Sequence, residues 1–137
     1  MKTTEGLQAV MDQFYGGSEG RYRHWAHRRF IFTEGVKAVA DHAGAYWLLD
    51  IVATEVAPLL IQRWESREEP IHFLRIKVEC SKAATITLER DIDDPLPWRR
   101  DLQFTDFPAG EWVFKLAMDG IIAAPIDVLV MCLMQED

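Results

Sequence analysis

Three of the four histidines and five of the fifteen basic residues fall between Phe14 and Asp50. The densest part is RYRHWAHRRF, residues 21–30. His24 and His27 stand three apart, so on a helical turn both rings would face one metal ion. A metal site needs three or four ligands, held by further hydrogen bonds behind them. His42 and His72 are the other histidines, and no HExxH or carboxylate-rich motif accompanies them. No metal ligand is therefore assigned. Arg21, Arg23, Arg28 and Arg29 interleave with Tyr22, Trp25 and Phe30. That alternation suits a single nucleic-acid strand, by phosphate contact and base stacking. A net charge of −7 opposes it. Arginines that neutralise carboxylates such as Asp41 and Asp50 are the commoner reason for such a cluster.

Asp50 sits on an otherwise apolar helix. Such a carboxylate is either a tuned general base or, more often, an ion-pair partner. Arg28, Arg29 and Arg23 are the available partners, and Arg23 is the one that would serve at a junction where Tyr22 and Trp25 meet Tyr46 and Trp47. Removing one member of a buried pair of that kind costs about 3–5 kcal/mol. The chain has no G-x-S-x-G, P-loop or G-x-G-x-x-G, and neither cysteine has a neighbouring histidine. No motif fixes catalytic roles, so neither a catalytic residue nor a cofactor is assigned. Trp98 lies in DIDDPLPWRR, ringed by charge. It reads equally as an interface anchor and as a loop side chain pinned onto the sheet. The candidate contact residues are Arg21, Arg23, His24, Trp25, Arg28, Arg29, Trp47, Asp50 and Trp98.

The elements that must position these residues change character part-way along the chain. A short helix capped by Thr3 or Thr4 runs to Gln13, with Leu7, Val10, Met11 and Phe14 on one side. Gly16, Gly17 and Gly20 then form a loop. Arg21 to Phe32 is ambiguous: Tyr22 and Trp25 at i, i+3 suit a helical turn, while Phe30-Ile31-Phe32 reads as a short buried strand. Thr33 is placed to cap a helix carrying Val36, Val39 and Ala40, which Gly44 stops. Residues 45–62 give the strongest helix. At about 100° per residue, Asp50, Thr54, Glu55, Pro58 and Gln62 share one side and apolar residues fill the rest. Trp47 and Ile51 fall inside the polar arc and need a covering loop or an exposed contact. Pro58 kinks this helix or starts a second one.

After Pro70 the period drops to two. Leu74, Ile76, Val78 and Cys80 alternate with charged residues, 81–83 turns, and Ala84, Ile86 and Leu88 alternate in reply. Residues 91–100 read as a Pro-rich acidic loop. Leu102 and Phe104 alternate again, and Trp112, Phe114, Leu116 and Met118 share a strand face. Asp119-Gly120 reads as a type I′ turn leading into 121–124. Residues 126–134 fit a strand or a packed helix. Helices first and strands second predict an α+β fold, with N-terminal helices packed on one face of an antiparallel sheet of four to five strands.

At 137 residues, one domain spanning 1–137 is the default, with a core that needs no disulfide or metal. Cys80 and Cys132 follow no redox spacing and read as buried thiols in a reducing compartment, hence a cytoplasmic protein. No signal peptide opens the chain, and the longest apolar run is too short to cross a bilayer. Residues 1–85 hold eleven acidic and eleven basic side chains, whereas 86–137 hold eleven and four, so the whole deficit lies in the later part. An acidic face suits solubility, or a basic protein partner.

FYG (14–16), YRHW (22–25), TEGVKAVAD (33–41), AGAYWLLD (43–50), FTDFP (104–108) and DG-x-x-x-x-P (119–125) together resemble a family of small bacterial, phage and plasmid proteins defined only as a domain of unknown function. The likeness spans nearly the whole chain, with residues 126–137 extending past it as an added partner surface. The resemblance implies a mobile-element setting and supplies no catalytic residues. The expectation is a non-enzymatic phage or plasmid accessory protein that binds a host protein or protein complex, as an inhibitor of host defence would. A nucleic-acid-binding module built on Arg21 to Arg29 and a small metal-dependent enzyme are the alternatives.

Overall fold

The computed structural model describes residues 4–13, 21–27, 29–65, 70–91, 94–120 and 127–135. Its elements are α1 (Thr4–Met11), β1 (Arg21–Arg23), β2 (Phe30–Thr33), α2 (Glu34–Ala43), α3 (Tyr46–Ile51), a π-helical segment (Val52–Val56), α4 (Ala57–Glu65), β3 (Ile71–Val78), β4 (Ala84–Asp91), β5 (Asp94–Leu102), β6 (Gly110–Gly120) and β7 (Asp127–Leu133). The three helical stretches between Tyr46 and Glu65 run on without a break, giving three helical rods among the described residues. The strands form one sheet in the order β1-β2-β7-β6-β3-β4-β5. Every pair is antiparallel except β2 with β7, which is parallel.

The α+β class holds, but the sheet has seven strands and is mixed. The expected four or five antiparallel strands fall short for three local reasons. RYR is too short to show a period, yet it pairs as β1 with β2, which contains the short buried strand expected at Phe30-Ile31-Phe32. Of the loop expected at residues 91–100, 94–100 belong instead to the edge strand β5, which has register shifts against β4. Pro95 and Pro97 are compatible with an edge because one side of that strand needs no donors. Residues 127–133, left open between helix and strand, are β7. Val128 to Leu133 are all buried, so no polar–apolar alternation betrayed the strand. This stretch is therefore an interior strand, which corrects the added partner surface expected at 126–137 over residues 127–133. Asp119 and Gly120 do not turn the chain either: they pair with Val128 and Asp127 at the end of β6. The expected strand at 121–124 and the glycine loop lie outside the described residues.

Local signals in the helices were followed. The Thr33 hydroxyl accepts from the Val36 N–H at 3.4 Å, and Gly44 ends α2 in the left-handed region at φ 63°. Pro58 is the second residue of α4, directly after the π-helical turn closed by the Ala57 N–H on the Val52 carbonyl. A residue without an N–H leaves a gap in the ladder, and the wider π turn stands next to that gap. One core gathers Leu48, Leu49, Val52, Val56 and Leu60 with Val36 and Val39, and with alternate strand residues Leu74, Ile76, Ile86, Phe114, Leu116, Leu129 and Met131. The register sets those strand residues on a single face, since Leu74 opposes both Leu88 and Phe114, and Leu116 opposes Met131. On the other face Arg75 donates to Glu89 at 2.5 Å and to Glu111 at 2.6 Å. The Glu89 bond is the main cause of a raised Arg75 pKa.

The two thiols part company. Cys132 is buried in β7, but Cys80 is exposed, because β3 ends at Val78 and residue 80 belongs to the turn. Phe104 likewise lies outside the strand it was expected to extend, exposed in the loop after β5. That loop covers the long helix: Phe107 is fully buried, with Trp47 edge-on to it at 6.5 Å.

Candidate functional site

Residues 24–27 and 29 belong to the loop of a hairpin between β1 and β2. Its backbone closes by His24 N–H to the Phe30 carbonyl at 3.0 Å and Phe30 N–H to the His27 carbonyl at 3.0 Å. The histidine side chains complete it. His24 Nδ1 accepts from the Ala26 N–H at 3.0 Å, and His27 Nδ1 accepts from the Arg29 N–H at 3.2 Å. Each imidazole thus plays the part that an aspartate or asparagine plays in tight turns.

With Nδ1 of His24 taken as an acceptor, Nε2 carries the proton and donates it to Asp50 Oδ1 at 2.8 Å. The ring is 6% exposed, and the Asp50 side chain is 54% exposed. This overturns the expected Arg23–Asp50 pair. Arg23 is exposed on β1, and the guanidinium was replaced as the partner of Asp50 by the neighbouring imidazole. Alternation explains it: His24 and Tyr22 point one way along the strand and Arg21 and Arg23 the other. Both His24 nitrogens are engaged, so the ring is a strut between the hairpin loop and the long helix.

Trp25 follows, stacked on His24 at 5.6 Å and 25°, and is 87% exposed. It is the most exposed large apolar side chain among the described residues. Tyr22 stacks on Phe32 at 5.7 Å, with Lys37 Nζ 5.5 Å from its ring centre. Lys37 also donates to Asp41 at 2.9 Å, and the Tyr46 hydroxyl donates to the other oxygen of Asp41. The Tyr46 bond holds the Asp41 carboxyl below its usual range, with Lys37 adding to it. The same bond raises the Tyr46 phenol, and the Asp41 contact raises Lys37. The i,i+4 spacing of Lys37 and Asp41 was legible in the sequence. The reach of Tyr46 across Gly44 was not.

The other sequence candidates separate. Arg29 is half-buried, and its carbonyl accepts from Leu129 N–H at 2.7 Å, tying the hairpin to β7. Arg28 lies outside the described residues. Trp47 is half-buried under the Phe107 loop. Trp98 is half-buried in β5 beside a groove of about 290 Å³ with Leu59, Arg63, Leu96 and Pro97. The structure thus gathers His24, Trp25 and Asp50 with Arg21 and Arg23 on the adjoining strand. Trp47 and Trp98 belong to other surroundings. No group of three or more His, Cys, Asp or Glu is arranged to hold a metal ion among the described residues.

The family model of a family of unknown function, DUF6876, matches residues 5–136. The chain belongs to this family. The match takes in β7, so the last strand is part of what DUF6876 members share with this chain. No curated protein and no solved structure matches the sequence.

Proposed function

We propose that this DUF6876 protein is a non-enzymatic accessory protein of a phage or plasmid. It acts by binding a host protein or protein complex, and inhibition of a host defence system is the activity we assign to that binding. Its contact site is the tip of the β1–β2 hairpin. In this reading the three helices lie over one face of the sheet, as their shared core supports, and the hairpin carries Trp25 outward beside Arg21 and Arg23.

One observation carries the reading. A tryptophan that is 87% exposed stands on a turn whose geometry is fixed by both nitrogens of His24. Exposing so large an apolar ring in water is unfavourable, whereas a pre-set aromatic anchor reduces the ordering cost of binding. Tryptophan and arginine are also the residues that dominate binding energy at protein interfaces. The test is quantitative capture from host lysate on immobilised wild-type protein and on Trp25→Ala, followed by reconstitution with the purified partner. A partner whose affinity falls by about a hundredfold in the variant is expected for a central anchor. Equal recovery of all host proteins on both resins defeats the proposal.

A second reading draws on Arg21 and Arg23, exposed on the strand that leads to Trp25. It takes single-stranded nucleic acid, with the indole stacking on a base. Binding to oligonucleotides at low salt that weakens steeply with added salt would favour it over a protein partner.

A further inference from the structure

β1, α2 and the long helix meet in a closed circuit of side chains beside the hairpin. Tyr22 and His24 share one face of β1, Lys37 and Asp41 one face of α2, and Tyr46 and Asp50 one face of the long helix. Lys37 lies over the Tyr22 ring and donates to Asp41, Asp41 accepts from Tyr46, and Asp50 accepts from His24. Trp25 stacks on that same imidazole. Three of the six exposed large apolar side chains among the described residues, Tyr22, Trp25 and Tyr46, therefore border one patch, and both carboxylates of the circuit stand among them. Aromatic faces beside carboxylates suit a cationic side chain.

The circuit contains two pairings of an aromatic ring with a carboxylate. The first, Tyr22 with Asp41, already holds a cation. Lys37 Nζ stands 5.5 Å from the ring centre and 2.9 Å from Asp41 Oδ2. The second, Trp25 with Asp50, is assembled on the one imidazole of His24. Among the described residues no cation lies over the Trp25 ring. Asp50 Oδ1 takes the His24 proton at 2.8 Å, and Oδ2 has no hydrogen bond or ion pair among the described residues. With Nδ1 accepting from the Ala26 N–H, the imidazole is neutral and leaves the Asp50 charge unbalanced. The arginines of β1 do not fill the place, because Arg21 and Arg23 project from the opposite face of the strand.

We propose that the Trp25–Asp50 pairing receives an arginine side chain from a basic segment of a partner protein. The guanidinium stacks on the indole and pairs with Asp50, as Lys37 is held by Tyr22 and Asp41. Indole is the best cation platform among the aromatic side chains, and a planar guanidinium stacks on it where a compact ammonium does not. A basic segment is also what a chain of net −7 attracts, whereas a polyanion is repelled. Tyr46, exposed one turn before Asp50, offers a second ring to the residues that flank the arginine. This inference rests on the Trp25 contact and names the chemistry that the contact takes.

Amide and indole NMR titrations of the ¹⁵N-labelled protein test it. The probes are the capped peptide Gly-Arg-Leu-Arg-Gly, its lysine and glutamate counterparts, and a short oligothymidylate. Saturable shifts of the Trp25 indole N–H and the Asp50 amide are expected with the arginine peptide. The lysine peptide should bind about threefold more weakly and the glutamate peptide not at all. Asp50→Asn should weaken the arginine peptide by about tenfold, and Trp25→Ala, read at the Asp50 amide, by as much. Glu79→Gln, an equal change of charge at an exposed position between β3 and β4, should leave the affinity unchanged. The dispersion of the same spectra reports whether each variant is folded. Absence of saturable shifts with millimolar arginine peptide, equal affinity in folded Asp50→Asn, or tighter binding of the oligothymidylate at the same indole overturns the inference. If lysate capture still depends on Trp25 in that event, the contact stands and its arginine chemistry alone is wrong.

Discussion

His24 is the residue on which the candidate site turns, because one ring holds the hairpin to the long helix and shapes the hairpin loop. Replacing it with alanine removes two hydrogen bonds and the packing against Phe30, 5.9 Å away. We expect a loss of about 1–3 kcal/mol, read as a lower urea midpoint with an unchanged slope. Asp50→Asn keeps an oxygen that accepts from Nε2, and Arg23→Ala removes an exposed side chain, so both should stay within about 0.5 kcal/mol of wild type. If Arg23→Ala cost as much as His24→Ala, the His24 assignment would fail. A second residue-scale expectation concerns Tyr46. Its phenol is raised above 10.0 by the bond to Asp41, so the stabilisation from that bond is full below 10.0 and fades as the pH climbs through the higher folded value. The Asp41 carboxyl, lowered below 3.8, works in reverse: its share is present above 3.8 and fades as acid titrates it. Ultraviolet titration should find a late-ionising tyrosine that Asp41→Asn returns towards 10.0. A tyrosine that ionises identically in both proteins would refute the coupling.

At the scale of elements, α2 owes its two ends to single residues. Thr33→Ala should cost about 1 kcal/mol by leaving the Val36 N–H without its cap. Gly44→Ala should cost about 1–2 kcal/mol, because a Cβ is disfavoured at φ 63°. Equilibrium unfolding of the two variants measures both, and a neutral Gly44→Ala would contradict the left-handed cap. These ends were legible in the sequence because capping is local: the residue and its consequence lie within four positions. The β3–β4 hairpin was legible for a related reason, since one wet face imposes a period of two on Leu74 to Leu88. Three strands were not. RYR is shorter than any period, Pro95 and Pro97 resemble a loop until an edge is known, and β7 is buried on both faces. The site was hidden in the same way. Which of Arg23 and His24 meets Asp50 depends on strand parity, and parity is undefined until β1 is seen to be a strand.

The whole molecule is closed by its last element. β7 lies between β2, to which it is parallel, and β6, to which it is antiparallel. It is the piece that joins the β1–β2 hairpin to the rest of the sheet, across nearly the full length of the chain. Six consecutive residues, Val128 to Leu133, are at most 9% exposed. Each large apolar side chain buried in this way contributes about 1.5–3 kcal/mol, and a domain's entire stability is about 5–15 kcal/mol. Ending the chain after residue 126 would also bare two long strand edges and strip the Arg29 carbonyl of the Leu129 N–H. The truncated protein should therefore lack a cooperative thermal transition and show collapsed amide dispersion, whereas Met134→Ala, an exposed change just beyond β7, should melt like wild type. A truncated chain that still unfolded cooperatively, with Trp25 fixed on its hairpin, would mean that β2 and β6 can close the sheet without β7. The hairpin would then be held by His24 and the long helix alone.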